Sequence, residues 1–348
     1  MKKACLVVPP ACQNNKIFDL SDGNINRDGC MVPFVKLKER FAVAGFLLAT
    51  DDINRIPESD CIIYLEMPDE LPSEEQKGRS NLLLFETELI LPENWNKAKH
   101  ERFSRIFTWN DAFVDNQKYF KTNWSHVFPE RINYDWQLKT AFCCVISGNK
   151  TSSHPLELYS KRVEAIRWFE KNHPECFDLY GTGWNQFRFR GSHFLERFQP
   201  LRALVRFLSF LGEKYPSYRG KISNKFETLQ KYKFSICYEN ARDIPGYITE
   251  KIFDCFFAGC VPVYWGANNI QDLIPSDCFI DRRNFKSYDE LFKFMIEMSP
   301  KTHENYVLAA QNYLSSAAAR IFSADYFAET IVKHSVSQSL TNLKKAGR

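Results

Sequence analysis

Glu250 and Lys251 stand side by side where an amphipathic segment begins, and Glu239 and Asn240 close the apolar run that precedes it. A lysine in the first turn of a helix, beside backbone N–H groups that point the same way, is chemistry for holding an anion. A second set of acids, Glu66, Glu86 and Asp111, each follows a short apolar run nearer the start of the chain. A carboxylate at the carboxyl end of a strand, facing a cleft, can take a proton from a bound hydroxyl. Each residue also has an ordinary reading. Lysines on helices and glutamates after strands are mostly solvated, and Glu250 could simply favour the helix macrodipole.

The elements that must position the first set follow from periodicity and punctuation. Residues 234–238 form a short apolar run that reads as a strand, and a turn with Asp243, Pro245 and Gly246 follows. Thr249 is expected to cap a helix whose Ile252, Phe253, Phe256 and Phe257 share one face, with Gly259 near its end. Residues 261–265 are the next strand. The polar cluster then lies at the carboxyl end of the first strand, where open α/β sheets bind ligands.

The residues of this unit are Tyr238-Glu239-Asn240, Tyr247-Ile248-Thr249-Glu250-Lys251 and Val261-Pro262-Val263-Tyr264-Trp265-Gly266. They resemble the donor motif of the family 10 glycosyltransferases, the α1,3/4-fucosyltransferases. The resemblance implies an α/β protein of GT-B architecture, with two Rossmann-like domains facing across a cleft. Residues 1–138 would form the acceptor side and 139–348 the GDP-fucose side, with the last helix packing back on the first domain.

The same resemblance implies roles. Lys251 and Arg162 would neutralise the diphosphate, Glu250 would hold the ribose, and Asn240 and Tyr247 would contact the sugar or phosphates. Glu239 would orient the loop, and Arg242 in the variable turn is an additional contact. Arg162 matches through its place near the start of the helix after strand 142–146, where Arg167 and Lys161 compete with it. Glu86 is the candidate base, because Phe85-Glu86-Thr87 stands where animal members carry Phe-Glu-Ser-Pro. Glu66 and Asp111, at neighbouring strand ends, are the alternatives. The Tyr-Arg-Arg-Asp-Ser-Asp segment of animal members is absent. Phe107-Thr108-Trp109-Asn110-Asp111 stands nearest to it, so acceptor contacts are expected to differ.

The rest of the chain alternates in the same way. Strands are expected at 4–8, 61–65, 81–85 and 103–109, a helix at 32–43, a further apolar segment at 46–49, and an irregular linker at 122–135. A second alternation has strands at 142–146, 177–180 and 278–280 and helices at 157–172, 288–298, 304–315 and 324–334, with a frayed tail after Val336. Continuous apolar strands indicate parallel sheets covered on both faces. Composition alone also allows one large doubly wound sheet; the resemblance selects two.

At 348 residues, with 44% hydrophobic and 25% charged residues, the chain suits two folded domains. A net charge of +4 is too small and too dispersed for nucleic acid. Aromatic residues make up 15%, which reads first as a phenylalanine-packed core. Eleven cysteines without a Cys-x-x-Cys pair, and seven scattered histidines, argue for buried thiols in a reducing cytoplasm and against a zinc site. The first residues faintly mimic a signal peptide, but Pro9-Pro10 closes the apolar part early and a buried strand is the better reading. No apolar run is long enough to span a membrane.

The expectation is an inverting transfer of L-fucose from GDP-fucose to a hydroxyl, O3 of N-acetylglucosamine or glucose, on an oligosaccharide or a glycoconjugate such as protein or lipopolysaccharide. No cofactor or metal is obligatory, with a divalent cation stimulatory at most. No nucleic acid and no transmembrane segment are expected, and the protein is read as cytoplasmic, at most peripheral to the inner face of the membrane. The alternatives are a transferase of the same fold using another nucleotide sugar, and a catalytically silent module that binds glycan or nucleotide.

Overall fold

A computed structural model describes residues 1–185 and 215–346, with side chains as far as 336. The first half forms a six-stranded sheet from β1 (Lys2–Val7), β2 (Phe46–Thr50), β3 (Cys61–Leu65), β4 (Ser80–Leu84), β5 (Arg105–Thr108) and β6 (Tyr119–Lys121). Its order is β2-β1-β3-β4-β5-β6, and every neighbouring pair is parallel. The second sheet holds β7 (Ala141–Ile146), β8 (Phe177–Tyr180), β9 (Tyr218–Gly220), β10 (Tyr232–Tyr238), β11 (Val261–Trp265) and β12 (Ile280–Asp281). Its order is β12-β11-β10-β7-β8-β9, again all parallel. Two sheets therefore replace the single large sheet that composition also allowed.

Alternation along each strand feeds both faces. Leu6, Ile63, Leu83 and Phe107 pack under Phe34, Leu37 and Phe41 of the helix Val32–Val43. Their chain neighbours Cys5, Ile62, Leu82 and Ile106 build the core of the opposite face. In the second sheet the strand order reverses between β7 and β10, the kind of switch point at whose carboxyl strand ends open α/β sheets bind ligands.

Two chain crossings join the halves and are bonded to each other. His126 N donates to Phe322 O and Ala324 N donates to His126 O, both at 2.8 Å. After this crossing the helix Ala324–Ala346 leaves the second sheet and lays Phe327, Ala328 and Ile331 on the core of the first.

Several expectations need correction. The short edge strands β6 and β9 lack the apolar run that marks the others. The C-terminal helix continues to Ala346 where a frayed tail was expected after Val336. Thr249 does occupy the N-cap position of the helix Glu250–Phe257, but its side chain makes no capping hydrogen bond. Among the described residues, no helix is long and apolar enough to cross a membrane.

Candidate active site

Glu239, fully buried at the end of β10, organises the second half of the site. Its carboxylate accepts from Thr249 N at 2.8 Å, from Thr249 Oγ1 at 2.7 Å and from Lys251 Nζ at 3.1 Å. Lys251 Nζ also donates to Thr249 Oγ1 at 2.8 Å. The threonine hydroxyl is thus consumed by Glu239 and Lys251, which is why it does not cap the helix. Gly266 leaves room for this carboxylate: a Cβ there would stand 2.5 Å from Glu239 Cγ and 2.4 Å from the Tyr264 hydroxyl. Burial works against the charge on Lys251, but Glu239 and Glu250 outweigh it and hold the ammonium pKa above the ordinary lysine value. Burial likewise opposes ionisation of Glu250, yet Lys251 and Lys225 hold its pKa down to about 2.

Arg162 is 4% exposed on the helix Tyr159–Asn172, and it meets the same strand end. Its Nε and Nη2 donate to Tyr238 O at 3.2 and 2.7 Å, and Nη2 donates to Asn240 Oδ1 at 3.0 Å. The competing cations are engaged elsewhere: Arg167 pairs with Glu170 and Lys161 with Glu164. Arg242 pairs with Asp243 and reaches Pro155 O at 3.3 Å, so it braces the turn.

Two tyrosine hydroxyls here have no hydrogen-bond partner among the described residues, those of Tyr247 and Tyr159. Tyr247 is 1% exposed and Tyr159 is 3% exposed. The guanidinium of Arg162 lies over the Tyr159 ring, 5.2 Å from its centroid. Burial, with the charges of Glu239, Glu86 and Glu250, keeps Tyr247 protonated far above the ordinary phenol range. Buried donors without acceptors are costly unless a ligand completes them.

Glu86 comes from the other half, two residues beyond β4. Its carboxylate makes no hydrogen bond among the described residues. Burial raises its pKa, while the positive charges of Lys150 and Lys251 pull it back and Glu250 opposes them. The carboxylate therefore stands within the field of the second half's cations. The two alternative acids are occupied. Asp111 bonds Lys121 Nζ at 2.6 Å through one oxygen and Asn269 Nδ2 at 2.9 Å through the other. Glu66 accepts from Phe85 N, Glu86 N and Asn94 Nδ2.

The halves meet beside this cluster. Trp109 and Tyr247 pack with ring centroids 4.7 Å apart, and Asp111 N donates to Pro245 O at 3.2 Å. The structure thus gathers Glu86, Arg162, Glu239, Asn240, Tyr247, Glu250 and Lys251, and sets Asp111 and Arg242 aside as braces. Sequence reasoning missed Lys150 and Tyr159. Tyr159 could have been suggested by its place one helical turn before Arg162; for Lys150 the polar loop after β7 was the only signal.

A carboxylate with no hydrogen bond among the described residues, in the field of the second half's cations, and two parallel Rossmann-like sheets give the α/β architecture of the GT-B class. The model of glycosyltransferase family 10 (fucosyltransferase), C-terminal part, matches residues 136–314, just over half the chain, and the chain belongs to that family. An alpha-(1,3)-fucosyltransferase, FucT, of Helicobacter pylori is 36% identical over 87 residues, which are 25% of this chain and 18% of the relative. The alignment thus spans less than a fifth of that relative. A crystal structure of alpha1,3-fucosyltransferase with GDP-fucose superposes with a TM-score of 0.51 at 14% identity, covering 97% of this chain and 90% of that one. Anabaena HepE in complex with UDP gives 0.52 at 10% identity, with 96% and 99% covered. At these identities the likeness to both structures is one of fold.

Proposed function

We propose that this protein transfers L-fucose from GDP-fucose to a sugar hydroxyl with inversion at the anomeric carbon. The observation that carries this reading is the placement of the Glu86 carboxylate, without a hydrogen bond among the described residues, within the field of Lys150 and Lys251. The match to family 10 and the fucosyltransferase names of its relatives support the choice of donor. Glu86 takes the proton from the acceptor hydroxyl, whose oxygen attacks the anomeric carbon from the face opposite GDP. The bond from that carbon to the β-phosphate oxygen breaks, and its electron pair leaves with GDP. Lys251 and Arg162 meet the charge that develops on the diphosphate, and the hydroxyls of Tyr159 and Tyr247 donate to the donor's oxygens. Glu250, ionised at neutral pH, accepts from the ribose hydroxyls. The acceptor is O3 of an N-acetylglucosamine or glucose unit. The eleven free cysteines suit a reducing cytoplasm.

The decisive experiment incubates the purified protein with GDP-fucose and a panel of glycans, read by mass spectrometry, beside calorimetry with GDP and UDP. Fucosylated product and a preference for GDP support the reading. Equal affinity for the two nucleotides, or transfer from a UDP-sugar, replaces it with the second reading, favoured by the fold shared with UDP-bound HepE.

A further inference from the structure

Glu66 occupies a backbone conformation that L residues avoid, with φ at +70° immediately after β3. Glycine or asparagine would sit there with less strain, so a glutamate in this position is held by what its side chain does. Its carboxylate grips the turn that carries Glu86. Oε1 accepts from Glu86 N at 2.9 Å and from Phe85 N at 3.2 Å, and Oε2 accepts from Phe85 N at 3.2 Å and Asn94 Nδ2 at 2.5 Å.

Asn94 cannot turn its amide to suit a different partner. Its Oδ1 accepts from Met67 N at 2.8 Å, and its Nδ2 also donates to Glu86 O at 3.2 Å. The indole N–H groups of Trp95 and Trp109 complete the clamp, donating to Glu86 O at 3.1 Å and Phe85 O at 2.7 Å. The Phe85–Glu86 peptide is therefore held at both its N–H and its C=O, and the next peptide at its C=O, while among the described residues nothing bonds the Glu86 carboxylate itself.

We propose that Glu66 is the positioning residue for the catalytic base: its carboxylate, locked by Asn94, fixes the Phe85–Glu86 backbone so that the Glu86 side chain projects freely toward the donor half. The inference rests on the reading of Glu86 as base. Burial pushes the Glu66 pKa up to about 7 and Glu86 adds to this, but its three hydrogen-bond partners are all donors and favour the ionised carboxylate, so an amide, which is half donor, does not match the site. In Glu66→Gln the amide nitrogen must face either the two backbone N–H groups or the fixed Asn94 Nδ2, and the turn is released. Misplacing a reacting group by about 1 Å can cost on the order of a hundredfold in rate. Donor contacts lie in the other half and are untouched.

The test compares wild type, Glu66→Gln, Glu66→Asp, Asn94→Leu and Glu86→Gln for kcat with GDP-fucose and a glycan acceptor, for GDP affinity by calorimetry, and for thermal midpoint. The expected result is a fall in kcat of roughly 10- to 100-fold in Glu66→Gln, with GDP affinity within twofold of wild type. Asn94→Leu should reproduce this split, and Glu66→Asp should recover part of the rate. Glu66→Gln retaining wild-type kcat overturns the proposal. So does parallel loss of kcat, GDP affinity and folded protein, which marks a merely structural residue. Full inactivation by Glu66→Gln with Glu86→Gln near wild type makes Glu66 the base and also overturns it. Wild-type protein that transfers no fucose while binding GDP removes the functional reading instead, a result distinguishable from all of these.

Discussion

Lys251 Nζ lies 3.1 Å from the buried carboxylate of Glu239, and the hydroxyl of Thr249 bonds both groups. The helix start is thereby locked to the end of the preceding strand, and the ammonium is preorganised before any ligand arrives. Lys251→Ala should remove a charge-assisted hydrogen bond to phosphate, about 1.5–3 kcal/mol, and weaken GDP binding by roughly 10- to 100-fold. Calorimetry on folded mutant protein checks this; an unchanged dissociation constant would return Lys251 to the role of counter-ion for Glu239.

If Glu86 is the base, it must be ionised to accept a proton, and activity should be lost as pH falls through its pKa. Burial raises that pKa and Lys150 and Lys251 lower it. The acid limb of the kcat/KM profile is therefore expected above the ordinary carboxylate value of about 4.3. Lys150→Met takes away one stabilising charge and should move the limb to higher pH. Glu86→Gln should cut kcat by about 10²–10⁴. A profile that Lys150→Met leaves in place refutes the coupling.

Tyr159 gives a prediction with opposite signs. Its hydroxyl is buried and has no partner among the described residues, so Tyr159→Phe should leave the thermal midpoint of the free protein equal or higher. If the hydroxyl completes its hydrogen bond on the donor, the same change weakens GDP binding by about 2- to 10-fold. Paired melting and calorimetry decide it.

Gly246 has φ at +81°, and a Cβ there would stand 2.2 Å from Trp109 O and 2.8 Å from Asp111 Oδ2. Gly246→Ala therefore strains the turn and pushes the halves apart beside Tyr247. A destabilisation of about 1–3 kcal/mol is expected in denaturant unfolding, with reduced donor affinity in the protein that remains folded.

If Lys251 and Arg162 meet the diphosphate charge as proposed, activity should persist in a strong chelator. Complete loss in chelator, restored by manganese, would show that the two cations are insufficient.

Much of the fold was readable in advance because its signals are local. The runs 61–65 and 261–265 coincide with β3 and β11, and the helix 32–43 with Val32–Val43. A strand buried on both faces must be apolar throughout, and a covering helix must repeat its apolar residues, whatever lies elsewhere in the chain. The donor stretch was legible for the same reason, since Glu239, Asn240, Glu250 and Lys251 all belong to one strand–helix unit. The edge strands β6 and β9 escaped because an edge needs little apolar content, and their pairing is with strands already formed.

What the sequence left open was which of three strand-end acids is free. Glu66, Glu86 and Asp111 have the same chemistry and similar local settings. Only the tertiary structure separates them, because their partners come from distant segments: Asn94 and the Glu86 backbone for Glu66, Lys121 and Asn269 for Asp111. The same holds among Lys161, Arg162 and Arg167, where burial against Tyr238 O and Asn240 selects Arg162. Local pattern determined which chemical groups stand at the strand ends. Long-range packing decided which are consumed as braces and which remain unpaired for a ligand, since a hydrogen bond between residues far apart in sequence leaves no trace in the spacing of either.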